Sequence, residues 1–102
     1  MTCNITIITA KRYIALLRKH DLPVLEAWLF VPNGDGKNRN GGVIDLALVF
    51  DLYEDTLENK LALKQLRGEV DERIEPHPFD KNDFNPGNPL TDLIRTTGIS
   101  LK

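Results

Sequence analysis

The chain has 102 residues, of which 41% are hydrophobic and 27% charged, and its formal charge is −2. This composition excludes a chain that is disordered throughout, and the near-balance of charge argues against strong binding to nucleic acid. No apolar stretch approaches the ~20 residues of a membrane span, and Cys3 alone cannot form an internal disulfide. We therefore expect one cytoplasmic domain over residues 1–102, without a membrane partner.

The first half of the chain predicts a helix and two strands. Residues 5–8 are apolar and β-branched, typical of a short strand or of the frayed start of a helix. A threonine then caps a helix predicted over 9–19. Branched and aromatic residues predict a strand at 24–31. The nearly continuous apolar stretch 43–50 predicts a central strand covered on both faces, in which Asp45 is the one charged residue.

The second half predicts a helix, an edge strand, a loop and a closing helix. The first helix runs from about 53 to 67 with Asp55 as its cap, and its apolar stripe consists of Leu57, Leu61 and Leu66. A weakly alternating strand is expected at 69–75, a proline-rich loop at 76–89, and a short helix at 90–97 that Gly98 ends. This order predicts an α/β or α+β fold, with helices packed on a small mixed sheet.

Carboxylates and a glycine-rich loop converge in the middle of the predicted sheet. The loop between the first two strands contains Gly34, Gly36, Gly41 and Gly42. Asp45 lies in the buried second strand, and Asp71 near the start of the predicted third strand. Carboxylates on neighbouring strand ends, beside a loop able to approach phosphate, suit Mg²⁺, which prefers oxygen ligands and often shares them with substrate phosphates.

The run from Leu29 to Val49 resembles the signature of the minimal nucleotidyltransferases, small members of the DNA polymerase beta-type superfamily. That signature is a hydrophobic strand, Gly-Ser, three residues and a Gly, a short spacer, and Asp-x-Asp at the head of the next strand. The segment from Val70 to Phe79 resembles the part that carries the family's third carboxylate. The preceding helix and the closing Gly98-Ile99 fit as well, so the resemblance covers most of the chain.

The resemblance implies a site that binds a nucleoside triphosphate (NTP) and two Mg²⁺ ions. In the family, the Gly-Ser turn cradles the triphosphate and the acids hold the ions, which stabilise the attacking and leaving oxygens of a displacement at the α-phosphorus. Carried over to this chain, Asp45 and Asp71 are the metal ligands, and Asp71 is the acid that helps to activate the attacking hydroxyl. Gly36 matches the loop glycine, and Lys37 beside it is placed to meet phosphate.

The chain departs from the family pattern at three positions. Val31-Pro32 stands in place of Gly-Ser, and Val43 in place of the first aspartate of the pair. Proline has no N–H to donate to a phosphate oxygen, and the branched valine keeps the backbone away from a ligand. The sequence therefore predicts a nucleotidyltransferase-like domain of weak or absent activity.

Three functions follow from the resemblance and its departures. Small proteins of this kind commonly form the antitoxin half of a two-gene module with a helical HEPN-type ribonuclease, which implies a protein partner here. The alternative is an active Mg²⁺-dependent enzyme that transfers a nucleoside monophosphate, with AMP favoured, from an NTP to a protein or small acceptor, using Asp45, Asp71 and a third ligand such as Asp35 or Glu75. The third is a nucleotide-sensing subunit of a homo-oligomer.

Each candidate residue also has an ordinary structural role. Asp45 can cap a loop through backbone N–H groups, Asp71 can be a solvated charge, and Asp35 between two glycines is typical of a turn. His20 and His77 have no partner at metal-ligand spacing, so we expect both to be structural or exposed. The strand aromatics predicted to lie in the core are Trp28, Phe30 and Phe50.

Overall fold

The computed structural model of the chain describes residues 4–31 and 42–101, which form three helices and four strands. In chain order these are α1 (Asn4–Lys19), β1 (Val24–Phe30), β2 (Ile44–Phe50), α2 (Leu57–Arg67), β3 (Ile74–Asp80), α3 (Pro89–Thr97) and β4 (Ile99–Ser100). The strands form one sheet in the order β3-β2-β1-β4, in which β2 and β3 are parallel and the other pairs antiparallel. The predicted α+β arrangement of helices on a small mixed sheet is confirmed.

Strand β2 lies at the centre of the protein, and all seven of its residues are buried. Its side chains alternate between the two faces of the sheet. Leu46 and Leu48 pack in the core with α1 and α2, whereas Ala47 and Val49 pack with residues that include Ile94 of α3. The prediction of a central strand covered on both faces is therefore confirmed. Within the described ranges, no helix is both long and apolar enough to cross a membrane.

Helix α1 includes residues 5–8, so the alternative of a strand at that position is wrong. Its inner face buries Tyr13 and Leu17 completely, while Lys11 and Lys19 are exposed as predicted. The Tyr13 hydroxyl donates a hydrogen bond of 2.8 Å to the backbone carbonyl of Leu63. This bond joins α1 to α2 within the same layer.

Helix α2 begins at Leu57, four residues later than predicted, and Thr56 is its N-cap in place of Asp55. The Thr56 backbone is extended, and its hydroxyl accepts a hydrogen bond of 3.1 Å from the N–H of Asn59. Asp55 lies outside the helix and instead pairs with Lys60 at 3.3 Å.

The predicted apolar stripe of α2 is only partly correct. Leu66 is buried, but Leu57 is 72% exposed and Leu61 is 48% exposed. Leu63, three residues before Leu66, is the other buried residue of this helix. Residues three apart share a helix face, so α2 presents Leu63 and Leu66 to the sheet and turns Leu57 and Leu61 away from it.

Strand β3 begins at Ile74 and includes Pro76 and Pro78, so the predicted strand at 69–75 and the predicted loop from 76 are wrong. Prolines are tolerated because β3 is an edge strand. At one end Arg73 accepts a backbone bond from β2, and at the other Lys81 donates one to it. Backbone groups alternate in direction along a strand, so the odd-numbered residues bond to β2 and the missing N–H groups of both prolines face outward.

Helix α3 follows the prediction closely. The Asn88 side chain accepts from the N–H of Leu90 at 3.0 Å, Pro89 occupies the first turn, and the N–H of Gly98 donates to Ile94 at 2.7 Å. The two-residue strand β4 that comes next, which pairs with β1, was not predicted. Of the predicted core aromatics, Phe30 and Phe50 are buried, whereas Trp28 is partly exposed.

Candidate functional site

Asp45 is the one charged residue of the buried strand β2, and its side chain is 3% exposed. Its Cα partners are Phe30 on β1 and Glu75 on β3. Side chains of residues in register share a face of the sheet, so Asp45 lies on the face that carries Ala47, Val49 and α3. A carboxylate in such surroundings needs a hydrogen-bonding partner, because burial of an unpaired charge is costly.

His77 supplies a partner for the Asp45 carboxylate. The Nε2 atom of His77 lies 3.0 Å from Oδ1 of Asp45, and the imidazole is 31% exposed. The Phe30 ring meets the His77 ring edge-on, with 5.1 Å between centroids and an angle of 67°. The pair therefore extends from the buried strand to the protein surface, beside the Phe30 ring.

The chemical consequence of this contact is an oriented imidazole. A carboxylate can only accept hydrogen bonds, so Nε2 of His77 is the donor in this contact. The same contact occupies Oδ1 of Asp45 with a nitrogen donor. The contact therefore fixes the orientation of the imidazole relative to the carboxylate.

Asp71 lies in the turn between α2 and β3, outside any strand, and it is bound by its near neighbour Arg73. Its carboxylate accepts from the backbone N–H of Arg73 at 2.9 Å and from the guanidinium at distances down to 2.7 Å. The side-chain hydrogen bonds from Arg73, followed by the backbone bond, lower the pKa of Asp71 to about 2. This carboxylate is therefore held as an anion in a local ion pair.

Arg73 also contacts the entry into β2. The carbonyl of Arg73 accepts from the N–H of Ile44 at 2.9 Å, and a Cβ built on Gly42 would lie 3.7 Å from the Arg73 guanidinium. Gly42 has a φ of +65°, in the left-handed region that favours glycine. The Arg73 backbone thus holds the chain where it enters the central strand.

Glu75, rather than Asp71, is the acid in register with Asp45. Its Oε1 atom accepts from Arg67 of α2 at 3.3 Å, and Arg67 also donates to the carbonyl of Ile74 at 2.9 Å. Glu75 is exposed, so this ion pair is weak and the side chain is open to other interactions.

The described residues show no assembled site for a pair of Mg²⁺ ions. Each acid that the resemblance or the register brings forward is bonded to a nitrogen donor: Asp45 to His77, Asp71 to Arg73 and Glu75 to Arg67. Among residues 4–31 and 42–101 no group of three or more His, Cys, Asp or Glu side chains is arranged to hold a metal ion. Val43, at the position where the resemblance expects an aspartate, has no side-chain oxygen for a metal ion.

Several predicted site residues lie outside the described residues. These are Gly36 and Lys37, proposed at the nucleotide, together with Asp35 and Pro32. Val31 and Val43, which flank this segment, are both partly buried.

A cleft of about 420 Å³ lies at the outer side of β3, away from the Asp45–His77 pair. Its walls include Tyr53, Leu63, Pro76 and Pro78, with Lys64 among its polar residues. Pro76 and Pro78 are each one residue from His77 along β3. Since neighbouring side chains of a strand point to opposite faces of the sheet, both prolines lie on the face opposite His77. This cleft and the Asp45–His77 pair are therefore separate features.

The contact between His77 and Asp45 was not predicted from the sequence, from which we expected His77 to be structural or exposed. The signal lay in strand pairing: once 44–50 and 74–80 are aligned in parallel, Asp45 and His77 fall on the same face two positions apart in register. The misplacement of β3 five residues too early concealed that alignment.

Comparison with known proteins adds no assignment. No protein-family model matches the chain, and no similar sequence is found among curated proteins.

Proposed function

We propose that this chain is a protein-binding domain of nucleotidyltransferase-like type that has lost two-metal transfer and acts as the antitoxin-like partner of a helical HEPN-type protein. The observation that carries the proposal is that the candidate metal-binding carboxylates are hydrogen-bonded to nitrogen donors. Asp45 is bonded to His77, and Asp71 is bonded to Arg73 in a turn outside the sheet.

Two-metal catalysis depends on carboxylate oxygens that face the ions. Removing one group that stabilises developing negative charge costs about 2.7–4 kcal/mol in an enzyme that otherwise remains intact. In this chain Val43 stands where the first acid of the pair is expected. Asp71 would have to give up several bonds to Arg73 before it could bind an ion. The loss of several contacts together favours a binding role over catalysis.

The binding role is supported by exposed apolar side chains on the two helices that cover one face of the sheet. Four large aliphatic residues are 48–72% exposed there: Ile5, Ile8, Leu57 and Leu61. They form two exposed aliphatic pairs, one on each helix, and paired exposed apolar side chains mark sites of protein contact more often than a single scattered residue does.

The second candidate function is nucleotidyl transfer, and one observation favours it. Glu75 is in register with Asp45, so two carboxylates occupy neighbouring positions on one sheet face, with His77 beside them. In this alternative Mg²⁺ and an NTP are required, and Asp45 and Glu75 replace the family's aspartate pair.

One experiment separates the two functions. The purified chain is incubated with labelled ATP, Mg²⁺ or Mn²⁺, and the protein encoded by the adjacent gene. We expect a stoichiometric complex with that protein and no label transfer. Transfer that Asp45→Asn abolishes, while the exposed control Glu72→Gln preserves it, would establish catalysis instead. Absence of a complex with a helical neighbour would contradict the binding role.

A further inference from the structure

Positive charge is concentrated on α1 and α2. These two helices carry seven of the thirteen Lys and Arg residues and one of the fifteen Asp and Glu residues, although the whole chain has a charge of −2. Both helices pack on the same face of the sheet. The protein therefore has a basic helical layer, while the rest of the chain is strongly acidic.

Most of the exposed cations of this layer have no acidic partner. Among the described residues, Lys11, Arg12, Lys19 and Lys64 form no ion pair. The other cations of the two helices do have partners: Lys60 is paired with Asp55, Arg67 with Glu75, and Arg18 donates to the carbonyl of Val24. The unpaired cations are available to an incoming acidic group.

The exposed apolar residues lie among these cations at helical spacing. On α1, Ile5, Ile8 and Arg12 follow at intervals of three and four, on the side away from the buried Tyr13 and Leu17. On α2, Leu57, Leu61 and Lys64 follow at intervals of four and three, away from the buried Leu63 and Leu66. Each helix thus presents an outer row that begins with two aliphatic side chains and continues with a cation.

We call the outward surface of these two helices the helical face: Ile5, Ile8, Arg12 and Lys19 of α1 with Leu57, Leu61 and Lys64 of α2. The helices run in roughly opposite directions, so the two aliphatic pairs lie toward opposite ends of this face, with Arg12 and Lys64 between them. Both helices are fixed to the same side of the sheet, and the buried bond from Tyr13 to Leu63 ties them together. Binding to such a surface does not require the helices to be ordered first, which lowers the cost of association.

We propose that the helical face is the docking site for an acidic amphipathic helix of the partner protein. This inference rests on the proposed function and names the surface that would perform it. A helix lying across this face places apolar residues near its two ends against the aliphatic pair of each helix, and Asp and Glu side chains between them meet the unpaired cations. A second copy in two-fold symmetry would instead bring the same cations together.

The test measures the affinity of the HEPN-type protein encoded by the adjacent gene for wild type and for four variants. Ile8→Glu, Leu57→Glu and Lys64→Glu change the helical face at exposed positions. Leu52→Glu is the matched control, because Leu52 is 84% exposed and lies outside the helices. Circular dichroism and thermal melting confirm that every variant folds.

We expect each variant on the helical face to raise Kd roughly tenfold or more, with Leu52→Glu within about twofold of wild type. Amide hydrogen exchange in the complex should slow in α1 and α2. If wild type binds and the three variants bind equally well, the docking site is wrong while the proposed function stands. If wild type does not bind the partner, the proposed function fails and the docking site with it.

Two further results would also overturn the docking site by assigning the face to another occupant. One is sedimentation of the chain with vesicles of phosphatidylglycerol that Ile8→Glu and Leu57→Glu abolish. The other is a dimer of the isolated chain, detected by light scattering, that the same two variants convert to monomer.

Discussion

The hydroxyl of Tyr13 donates a 2.8 Å hydrogen bond to the carbonyl of Leu63, fifty residues further along the chain. The Tyr13 side chain is fully buried between α1 and the sheet, so this bond is shielded from water. It fixes the position of one helix relative to the other and thereby the geometry of the helical face.

Replacing Tyr13 with Phe removes this bond while keeping the ring in the core. We expect the free energy of unfolding to fall by about 1 kcal/mol, as is typical for the loss of one intramolecular hydrogen bond. Urea denaturation of wild type and Tyr13→Phe measures the difference. Equal stabilities would show that the bond contributes nothing net to folding.

The same residue predicts a dependence of stability on alkaline pH. Burial raises the pKa of Tyr13 above its ordinary value of 10.0, an effect that the nearby Arg67 opposes only in part. The folded state therefore holds the phenolic proton more tightly than the unfolded chain does. This contribution is present below pH 10 and is lost as the pH rises further, so wild type should lose stability relative to Tyr13→Phe. Urea denaturation of both proteins from pH 8 to pH 11 measures this difference. A constant difference in the free energy of unfolding across that range would contradict the assignment.

Asp45 and His77 should be energetically coupled. Asp45→Ala removes a buried acceptor and should destabilise the fold by about 1–3 kcal/mol. Because the two side chains share one bond, Asp45→Ala and His77→Ala should not be additive, and a coupling energy of at least about 0.5 kcal/mol is expected from a double-mutant cycle. Additive effects would mean that the contact carries no net energy.

The ion pair of Asp71 with Arg73 should make the protein less stable as the pH falls into the acid range. Its pKa is lowered to about 2 in the folded protein from an ordinary value of 3.8. Its stabilising contribution is therefore present above pH 3.8 and is lost as the pH falls toward 2. Wild type should exceed Asp71→Asn in stability near pH 5, and the gap should close toward pH 2. Glu72→Gln, an exposed change in the same turn, is the control; if it reproduces the closing gap, the effect does not belong to Asp71.

Substitution of Gly98 should destabilise the fold because a side chain would clash with neighbouring atoms, not because the backbone conformation requires glycine. A Cβ at Gly98 would lie 2.4 Å from the carbonyl oxygen of Ile94 and 3.2 Å from that of Leu29. Gly98→Ala must therefore push α3 away from β1, and a cost of about 1–3 kcal/mol is expected from such overpacking. The matched control is Gly68→Ala, where the nearest atom is 3.4 Å away. Similar melting temperatures for the two variants would argue against the steric explanation.

The sequence predicts this fold best where one residue type decides the structure locally. The apolar run of β2 and the proline and glycine around α3 led to correct elements. Leu57 and Leu61 were wrongly predicted to lie in the buried stripe of α2, because periodicity shows which residues share a helix face but not whether that face meets the sheet. Pro76 and Pro78 were wrongly predicted to lie in a loop. They are tolerated in β3 because it is an edge strand, and that position is decided only when the whole sheet assembles.

The candidate site was harder to predict for the same reason. Asp45 stood out as a charge in an apolar strand, and its burial confirms that it needs a partner. Neither His77 nor the register partner Glu75 could be assigned to it without the parallel pairing of β2 and β3. Asp71 was assigned from a resemblance, and its bond to Arg73, two residues away, depends on the turn that follows α2.

The two prolines of β3 also restrict how any binding protein can approach. An exposed strand edge normally offers N–H donors on which a further strand can assemble, and Pro76 and Pro78 remove two of them from the middle of this edge. At the opposite edge β4 contributes only two residues. Neither border is a good template for strand addition, so self-association into fibrils is disfavoured and a partner gains more from packing side chains than from extending the sheet.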